Sequence, residues 1–370
     1  MKDKSKKSIL FLIGSFGVGG KERQLTELIN GLPKDHYSLH LLVKDTDAYY
    51  IDKIRQDLVS FRSFDREHFR IDDFIILASH INEIRPDIVC SWATVTSHFC
   101  LLARFFTSHS YRLLNCSIRT APIHLAFSNK FERFMYSFYK IVVANSIAGL
   151  TSYRQKHKKG RYVLYNGFDA TRVPTVSQKS AREKLNFQTN AFIVVMVASL
   201  TSMKDHNTFL YSIRECTEYQ KQIDFFIVGE GPNRPRLERK AQQMEISSNL
   251  YFLGKRDDVE LIFRAADVSV LTSTAEYGEG ISNSIIESLG CGIPIIATDS
   301  PGTREVIDDG INGLIIHPGD FKELAKKIIL LKNHPEMIER LSRAGIKKIK
   351  SKFSLDKMVA SFINIIESQF

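Results

Sequence analysis

The order of segments along this chain predicts an α/β protein built of two doubly wound parallel sheets in tandem, with helices closing the C-terminus. Three features carry that expectation. Short apolar runs alternate with longer amphipathic stretches, the alternation restarts after a polar stretch in mid-chain, and Lys322 to Phe370 has helical patterning without a strand. In the first half, Ile9 to Ile13, Ser38 to Val43, Ile88 to Cys90, Arg112 to Cys116, Ile141 to Ala144 and Tyr162 to Tyr165 read as strands, with helices in the gaps. Asn166 to Asn190 is polar, contains Pro174 and lacks apolar periodicity, so it reads as a connection. Phe192 to Ala198, Phe225 to Val228, Leu250 to Leu253, Val268 to Leu271, Ile293 to Ala297 and Leu314 to Ile316 then form a second set of strands. The closing helices break at Pro335 and near Phe353 and Ser354. The expected organisation is an N-terminal domain over 1–168, a linker over 169–190, a second domain over 191–352, and a C-terminal helix over 353–370 able to pack back on the first domain. Open sheets of this kind bind ligands outside the carboxyl ends of their strands, so the expected site is a central cleft faced by both domains.

At 370 residues the chain is long enough for two cores. A composition of 44% hydrophobic and 25% charged residues is that of a globular protein. No apolar run approaches the roughly 20 residues of a membrane-spanning helix, and Ile9 to Ile13 is too short for a signal sequence and flows into Gly14, Gly17, Gly19 and Gly20. The five cysteines, Cys90, Cys100, Cys116, Cys216 and Cys291, are scattered in apolar segments without metal-ligand spacing; they read as reduced core thiols of a cytoplasmic protein, and no metal site is expected. The formal charge of +10 is concentrated: residues 104–161 hold 11 Lys and Arg against the single acid Glu132. Within that stretch Phe127, Phe131, Phe134, Met135 and Phe138 recur at helical spacing beside Lys130, Arg133 and Lys140. Such a helix either lies on acidic lipid or packs its aromatic face on a core. A nucleic-acid patch ranks below both, because no recognised stacking module accompanies the charge.

The stretch Ala275 to Thr303 carries the chemistry. Glu279 and Gly280 open a loop, Ser282 is placed to cap a helix beginning at Asn283, and Glu287 lies one turn inside it. The first-turn N–H groups of such a helix attract phosphate, and two carboxylates flank the spot, so the segment reads as a site for a phosphate-bearing sugar. Gly290, Gly292 and Pro294 then end the helix. Two glutamates at this spacing alone would more often mark a solvated face; the ordered set Glu279, Gly280, Ser282, Asn283, Glu287, Gly290, Gly292, Pro294, Pro301, Gly302 and Glu305 lifts the signal. The glycines after the first strand lack dinucleotide spacing, and no acid closes a matching second strand, which disfavours a dehydrogenase.

That set resembles the nucleotide-sugar signature of the family 4 retaining glycosyltransferases, which have two Rossmann-like domains (the GT-B fold). The resemblance extends over nearly the whole chain. Gly19-Gly20-Lys21-Glu22-Arg23-Gln24 is similar to the family's glycine pair opening the first helix, and Arg85-Pro86-Asp87-Ile88-Val89, Asn145-Ser146 and Asn166-Gly167-Phe168-Asp169 match first-domain landmarks. Gly229-Glu230-Gly231-Pro232 and Leu253-Gly254 match loops that border the nucleotide.

The resemblance implies a hexosyltransferase moving a sugar, with retention, from a nucleotide diphosphate donor to a hydroxyl of a lipid-linked or saccharide acceptor. UDP-sugar is favoured over GDP-sugar, and the setting is surface-glycan synthesis such as capsule or O-antigen. No tightly bound cofactor or metal is implied, and protein cations take the metal's place at the diphosphate. Lys204 matches the diphosphate lysine, whereas Ser199 stands where many relatives carry Arg, leaving Arg256 or Arg23 as substitutes. Gly20 and the segment Gly280, Ile281, Ser282 and Asn283 would hold donor groups, Glu279 would approach the reacting sugar and Glu287 the ribose. Arg119 stands where a first-domain His is expected and is the first candidate at the reacting centre; His124 is the second, and Arg23 is a candidate for the acceptor. The expected partners are the donor, a lipid-linked saccharide and an acidic membrane surface met by residues 104–161, with the protein peripheral on the inner face of the cell membrane. The competing readings are a sugar-nucleotide epimerase, a phosphorylase, for which no pyridoxal-phosphate lysine motif is visible, and an inert nucleotide-sugar-binding partner subunit.

Overall fold

The computed structural model describes residues 6–44, 49–54, 58–64, 70, 72–122, 127–219, 222–276 and 278–368. In chain order the elements are β1 (Lys7–Ile13), α1 (Gly20–Gly31), β2 (Tyr37–Val43), β3 (Ser60–Ser63), α2 (Asp73–Ile84), β4 (Ile88–Ser91), α3 (Thr94–Ala103), β5 (Arg112–Ile118), α4 (Phe127–Met135), β6 (Ile141–Ala144), α5 (Ile147–Ser152) and β7 (Arg161–Val163). They continue with α6 (Gln178–Leu185), β8 (Phe192–Val197), α7 (His206–Tyr219), β9 (Ile223–Val228), α8 (Arg234–Gln243), β10 (Leu250–Gly254), α9 (Val259–Ala265), β11 (Val268–Leu271), α10 (Asn283–Gly290), β12 (Ile295–Thr298), α11 (Thr303–Val306) and β13 (Leu314–Ile316). Three helices close the chain: α12 (Phe321–Asn333), α13 (Pro335–Lys352) and α14 (Leu355–Glu367). Two compact units result, one of Met1–Arg119, Leu125–Gly167 and Leu355–Phe370, the other of Thr120–His124 and Phe168–Ser354.

The first unit holds one parallel sheet of order β3-β2-β1-β4-β5-β6-β7. Side chains alternate across a strand, and here both faces are covered. Ile9, Phe11 and Ile13 pack with Leu25, Leu28 and Ile29 of α1 and Phe362 and Ile366 of α14. Leu10 and Leu12 pack on the other side with Leu77 and Ile81 of α2. Burial of both faces is the reason β1 is apolar along its length, with no polar alternation to read. Strand β3 carries no strand signal in the sequence. It is an edge strand of sequence Ser-Phe-Arg-Ser that pairs on one side only, through Leu41↔Phe61, and its half-exposed surface requires no apolar run. Helix α14 is tied to this unit by the Lys7–Glu367 ion pair at 2.6 Å.

The second unit holds a parallel sheet of order β10-β9-β8-β11-β12-β13. Phe209 and Ile213 of α7 and Leu324 and Ile328 of α12 pack with Val194, Met196, Phe225 and Ile227. The segment 169–190, expected as a linker, contains α6. Ser177 caps it by accepting from the Ser180 N–H at 3.1 Å, and Asn186, in the left-handed region, ends it. Arg182 of α6 is buried, donates to the carbonyls of Ala265, Thr189 and Ala191, and pairs with Asp267 at 2.7 Å. The buried face of α6 is Ala181 and Arg182, so it shows no apolar stripe in the sequence.

In each sheet the strand order reverses at one place, beside β1 and β4 in the first and beside β8 and β11 in the second. Loops leaving the carboxyl ends of such neighbouring strands part to opposite faces and leave a crevice for a ligand. Lys204 and Glu279 follow β8 and β11 at the second reversal and Gly20 opens the helix after β1 at the first, whereas Arg119 follows β5 and Arg256 follows β10.

Candidate active site

In the second unit the loop after β8 carries Ser199, exposed, with its Oγ 3.4 Å from Thr201 Oγ1. It then turns to meet the loop after β11. Lys204 bridges Ser273, Asp205 N–H donates to Thr272 O at 3.0 Å, and Thr272 Oγ1 donates to Asp205 O at 2.8 Å. These contacts bring Lys204 to Glu279. The Lys204 ammonium pairs with Glu279 Oε2, and Ser273 Oγ donates to the same oxygen at 2.8 Å. The two charged side chains are 13% and 15% exposed, so their charges interact through a medium much less polar than water.

The backbone of Glu279 is fixed from two sides. Gly278 has φ 59° and a Cβ there would lie 2.0 Å from Ala121 O; Ala121 N–H donates to Gly278 O at 3.0 Å, and Thr120 bridges Glu279. On the other side a Cβ on Gly302 would lie 2.2 Å from Gly280 O and 2.3 Å from Glu279 O, so a side chain there forces the loop to move. Gly280, Ile281 and Ser282 are buried, and Asn283 opens α10. Ser282 occupies the N-cap position with extended backbone, but its side chain makes no capping hydrogen bond. The sequence-based expectation of a Ser282 side-chain cap is therefore corrected: the position is right, and its hydroxyl does not serve the helix.

Glu287, 5% exposed, lies on α10 beside the Arg172 guanidinium at 3.6 Å, and the same guanidinium hydrogen-bonds Glu260 of α9. Arg256, one substitute offered for the missing arginine, forks onto Asp258 with contacts of 2.8 and 2.6 Å, so its charge is met two residues away. His206 follows Lys204 into α7. Its Nδ1 lies 3.1 Å from Lys204 O, its Nε2 is buried with no hydrogen-bond partner among the described residues, and burial pulls the ring down to about 4.

In the first unit Arg119 leaves β5 and stacks on Trp92, which follows β4, with the guanidinium 4.1 Å from the ring centroid. Its Nε donates to Cys116 O at 3.2 Å and an Nη to Asn166 Oδ1 at 3.4 Å. Burial lowers its pKa to about 10, which leaves it charged at neutral pH. Gly20 begins α1 and is exposed, and Arg23 Nε donates to Tyr50 OH at 3.2 Å. Glu22 is buried, with Lys21 Nζ and Ser15 Oγ each 3.4 Å away; burial pushes its carboxyl above the usual range while Lys21 opposes that shift. His124 lies outside the described residues.

Sequence reasoning missed Ser273, Arg172 and Glu260. Ser273 stands where β11 ends at the reversal of strand order, which was its only sequence signal. Arg172 sits in a stretch read as a connection, and its partners lie 88 and 115 positions later in the numbering. The five described cysteines are all free and buried, and among the described residues no group of three or more His, Cys, Asp or Glu side chains is placed to hold a metal ion. Among the described residues no helix is long and apolar enough to cross a membrane.

Comparison with known proteins adds to this geometry. Lipopolysaccharide core biosynthesis glycosyltransferase LpsD of Rhizobium meliloti (strain 1021) is 23% identical over 356 residues, 94% of this chain and 95% of that protein. The GalNAc-alpha-(1->4)-GalNAc-alpha-(1->3)-diNAcBac-PP-undecaprenol alpha-1,4-N-acetyl-D-galactosaminyltransferase of Campylobacter jejuni is 24% identical over 375 residues, 97% of this chain and 98% of that protein. The crystal structure of Anabaena Alr3699/HepE in complex with UDP-glucose shares the fold, with a TM-score of 0.84, 21% identity, and coverage of 98% of this chain and 99% of that one. Residues 18–172 match the family described as Glycosyltransferase Family 4 and residues 177–348 that described as Glycosyl transferases group 1; the chain belongs to glycosyltransferase family 4 and has its GT-B fold.

Proposed function

We propose that this glycosyltransferase moves a hexose, with retention of configuration, from a UDP-sugar to a hydroxyl of a lipid-linked saccharide, in the assembly of a surface glycan at the cytoplasmic face of the membrane. The observation that carries the reading is the desolvated Lys204–Glu279 pair, set where the strand order reverses and just before the first turn of α10. When the bond from sugar to diphosphate breaks, negative charge gathers on the leaving group. A preorganised ammonium and helix N–H groups stabilise that moment more than the ground state, which is what raises a rate. In this reading the diphosphate takes Lys204 from Glu279, and the released carboxylate turns to the sugar hydroxyls and the positive charge developing at the anomeric carbon, without becoming a covalent nucleophile. Glu287 accepts the ribose hydroxyls, and the second unit thus serves the donor. The first unit takes the acceptor, with Arg119 offering a fixed positive charge to its diphosphate.

Two neighbours support the choice of donor and of acceptor. HepE was crystallised with UDP-glucose, and the Campylobacter relative is named for an undecaprenol-linked substrate. The basic stretch 104–161 supports the membrane site. Phe131, Phe134 and Phe138 are 52%, 60% and 55% exposed, so these rings of the aromatic face are directed to solvent. The test is a panel of UDP- and GDP-sugars with an undecaprenyl-diphosphate saccharide. Acceptor-dependent UDP release and a product keeping the donor's anomeric configuration are expected, both lost in Glu279→Ala. Absence of turnover with every donor sinks the reading, and an inverted product sinks its stereochemistry.

A further inference from the structure

Glu22 lies in the first turn of α1, and its carboxyl group is folded back over the residue that opens the helix. Its Oε2 lies 2.2 Å from where an ideal Cβ of Gly19 would stand. Gly19 is the N-cap, and its extended backbone (φ -171°, ψ 163°) is one that any residue adopts, so conformation does not call for glycine there. Space does. The position at which Ser, Thr, Asp or Asn ordinarily caps a helix is left bare, and the Glu22 carboxylate fills it. Glu22 is 4% exposed, and Ser15 Oγ and Lys21 Nζ both reach its Oε1 at 3.4 Å, long for contacts to a buried charge.

The surroundings of this carboxylate come from both strands at which the order of the first sheet reverses: Ser15 follows β1 and Trp92 follows β4. Trp92 Nε1 donates to Lys21 O at 3.1 Å, which ties down the first turn of α1, and its ring carries the Arg119 guanidinium. A negative group and a positive group are thus arranged around one tryptophan. Burial raises the Glu22 carboxyl above its usual range, as expected of a charge whose lost water is incompletely replaced. A carboxylate on the positive end of a helix turns phosphate away from it, and its oxygens favour O–H donors that carry no negative charge. A sugar hydroxyl is such a donor, and the diphosphate is left to Arg119. A glutamate at this position can also serve the helix alone, by reaching back to the N-cap N–H, and the two roles predict different losses.

We propose that Glu22 binds the acceptor: its carboxylate accepts a hydrogen bond from a hydroxyl of the acceptor's sugar. The inference rests on the reading that the first unit takes the acceptor. Initial rates of the full chain are measured with a UDP-sugar and an undecaprenyl-diphosphate saccharide, beside UDP affinity by calorimetry and a melting curve for each variant. Glu22→Gln keeps the shape and removes the charge. It should raise the acceptor KM roughly tenfold, the difference between a charged and a neutral hydrogen bond, and leave UDP affinity close to wild type. Gly19→Ala keeps the charge and the backbone and pushes the carboxylate aside. It should raise the acceptor KM by a similar factor, and it decides the matter alone if the glutamine variant does not fold. A role confined to capping lowers the melting temperature and the folded fraction and leaves the acceptor KM where it was. An acceptor KM equal to wild type in the folded variants overturns the inference while the function proposed above stands, and so does a loss of UDP affinity as large as the rise in KM, which would move Glu22 to the donor. Absence of turnover by wild type with every donor overturns both.

Discussion

Lys204 and His206 stand two residues apart in one loop, and the structure treats them in opposite ways. Lys204 is paired with a carboxylate in a poorly solvated place, whereas His206 is placed where a charge has no support. The ring's neutral form serves the loop: with the proton on Nδ1 it donates to Lys204 O and holds the backbone that aims the ammonium. A histidine lowered from 6.5 to about 4 on folding contributes stability that is complete above pH 6.5 and is lost as the pH falls toward 4. The size of that loss is on the order of 3 kcal/mol. Urea unfolding at pH 7 and pH 4.5 should therefore show a smaller acid loss in His206→Asn than in wild type. Equal losses would mean that the ring is not held neutral. The expected origin of Ser282's importance changes as well: the sequence suggested a side-chain cap, and the structure leaves the serine as backbone entry to α10.

Helix α10 is placed by its neighbours more than by its own eight residues. Gly302, on the turn before α11, lies so close to the carbonyls of Glu279 and Gly280 that a methyl group there has no room. Gly302→Ala should cost about 1–3 kcal/mol of stability, as overpacking does. It should also lower kcat well beyond what the loss of folded protein explains, because Glu279 must shift; activity normalised to folded protein and equal to wild type would show that the loop absorbs the methyl without moving the carboxylate. Helix α4 poses the opposite problem, an apolar face with solvent on it. Replacing both Phe131 and Phe134 with Ser should weaken binding to anionic vesicles roughly tenfold or more, given the area each ring would otherwise bury. Added salt should weaken it further through the basic residues of 104–161. Unchanged partitioning would remove the membrane role from this helix.

Across the whole molecule, what the sequence revealed was what is encoded locally. Strand β1 was legible because both of its faces are buried, and α10 because its glycines and carboxylates fall within a few turns of one another. Edge strand β3, polar and paired on one side, left no pattern, and α6 left little because its buried face is an alanine and an arginine paired to Asp267. The partners of the candidate site were hidden for a related reason. Ser273 meets Glu279 because two loops are stitched together, and Arg172 meets Glu287 because a segment read as a connection folds onto α10. Tertiary contacts of this kind have no period and no spacing. The central claim is that Lys204, held by Glu279, waits for a donor diphosphate. Its most direct test is titration calorimetry of the full chain and of Lys204→Ala with UDP and GDP. Wild type should bind one of them saturably, and loss of the ammonium should weaken that binding by about 10²-fold, the worth of one strong charge-assisted contact. Equal affinity in the two proteins, or no binding by wild type, would contradict it.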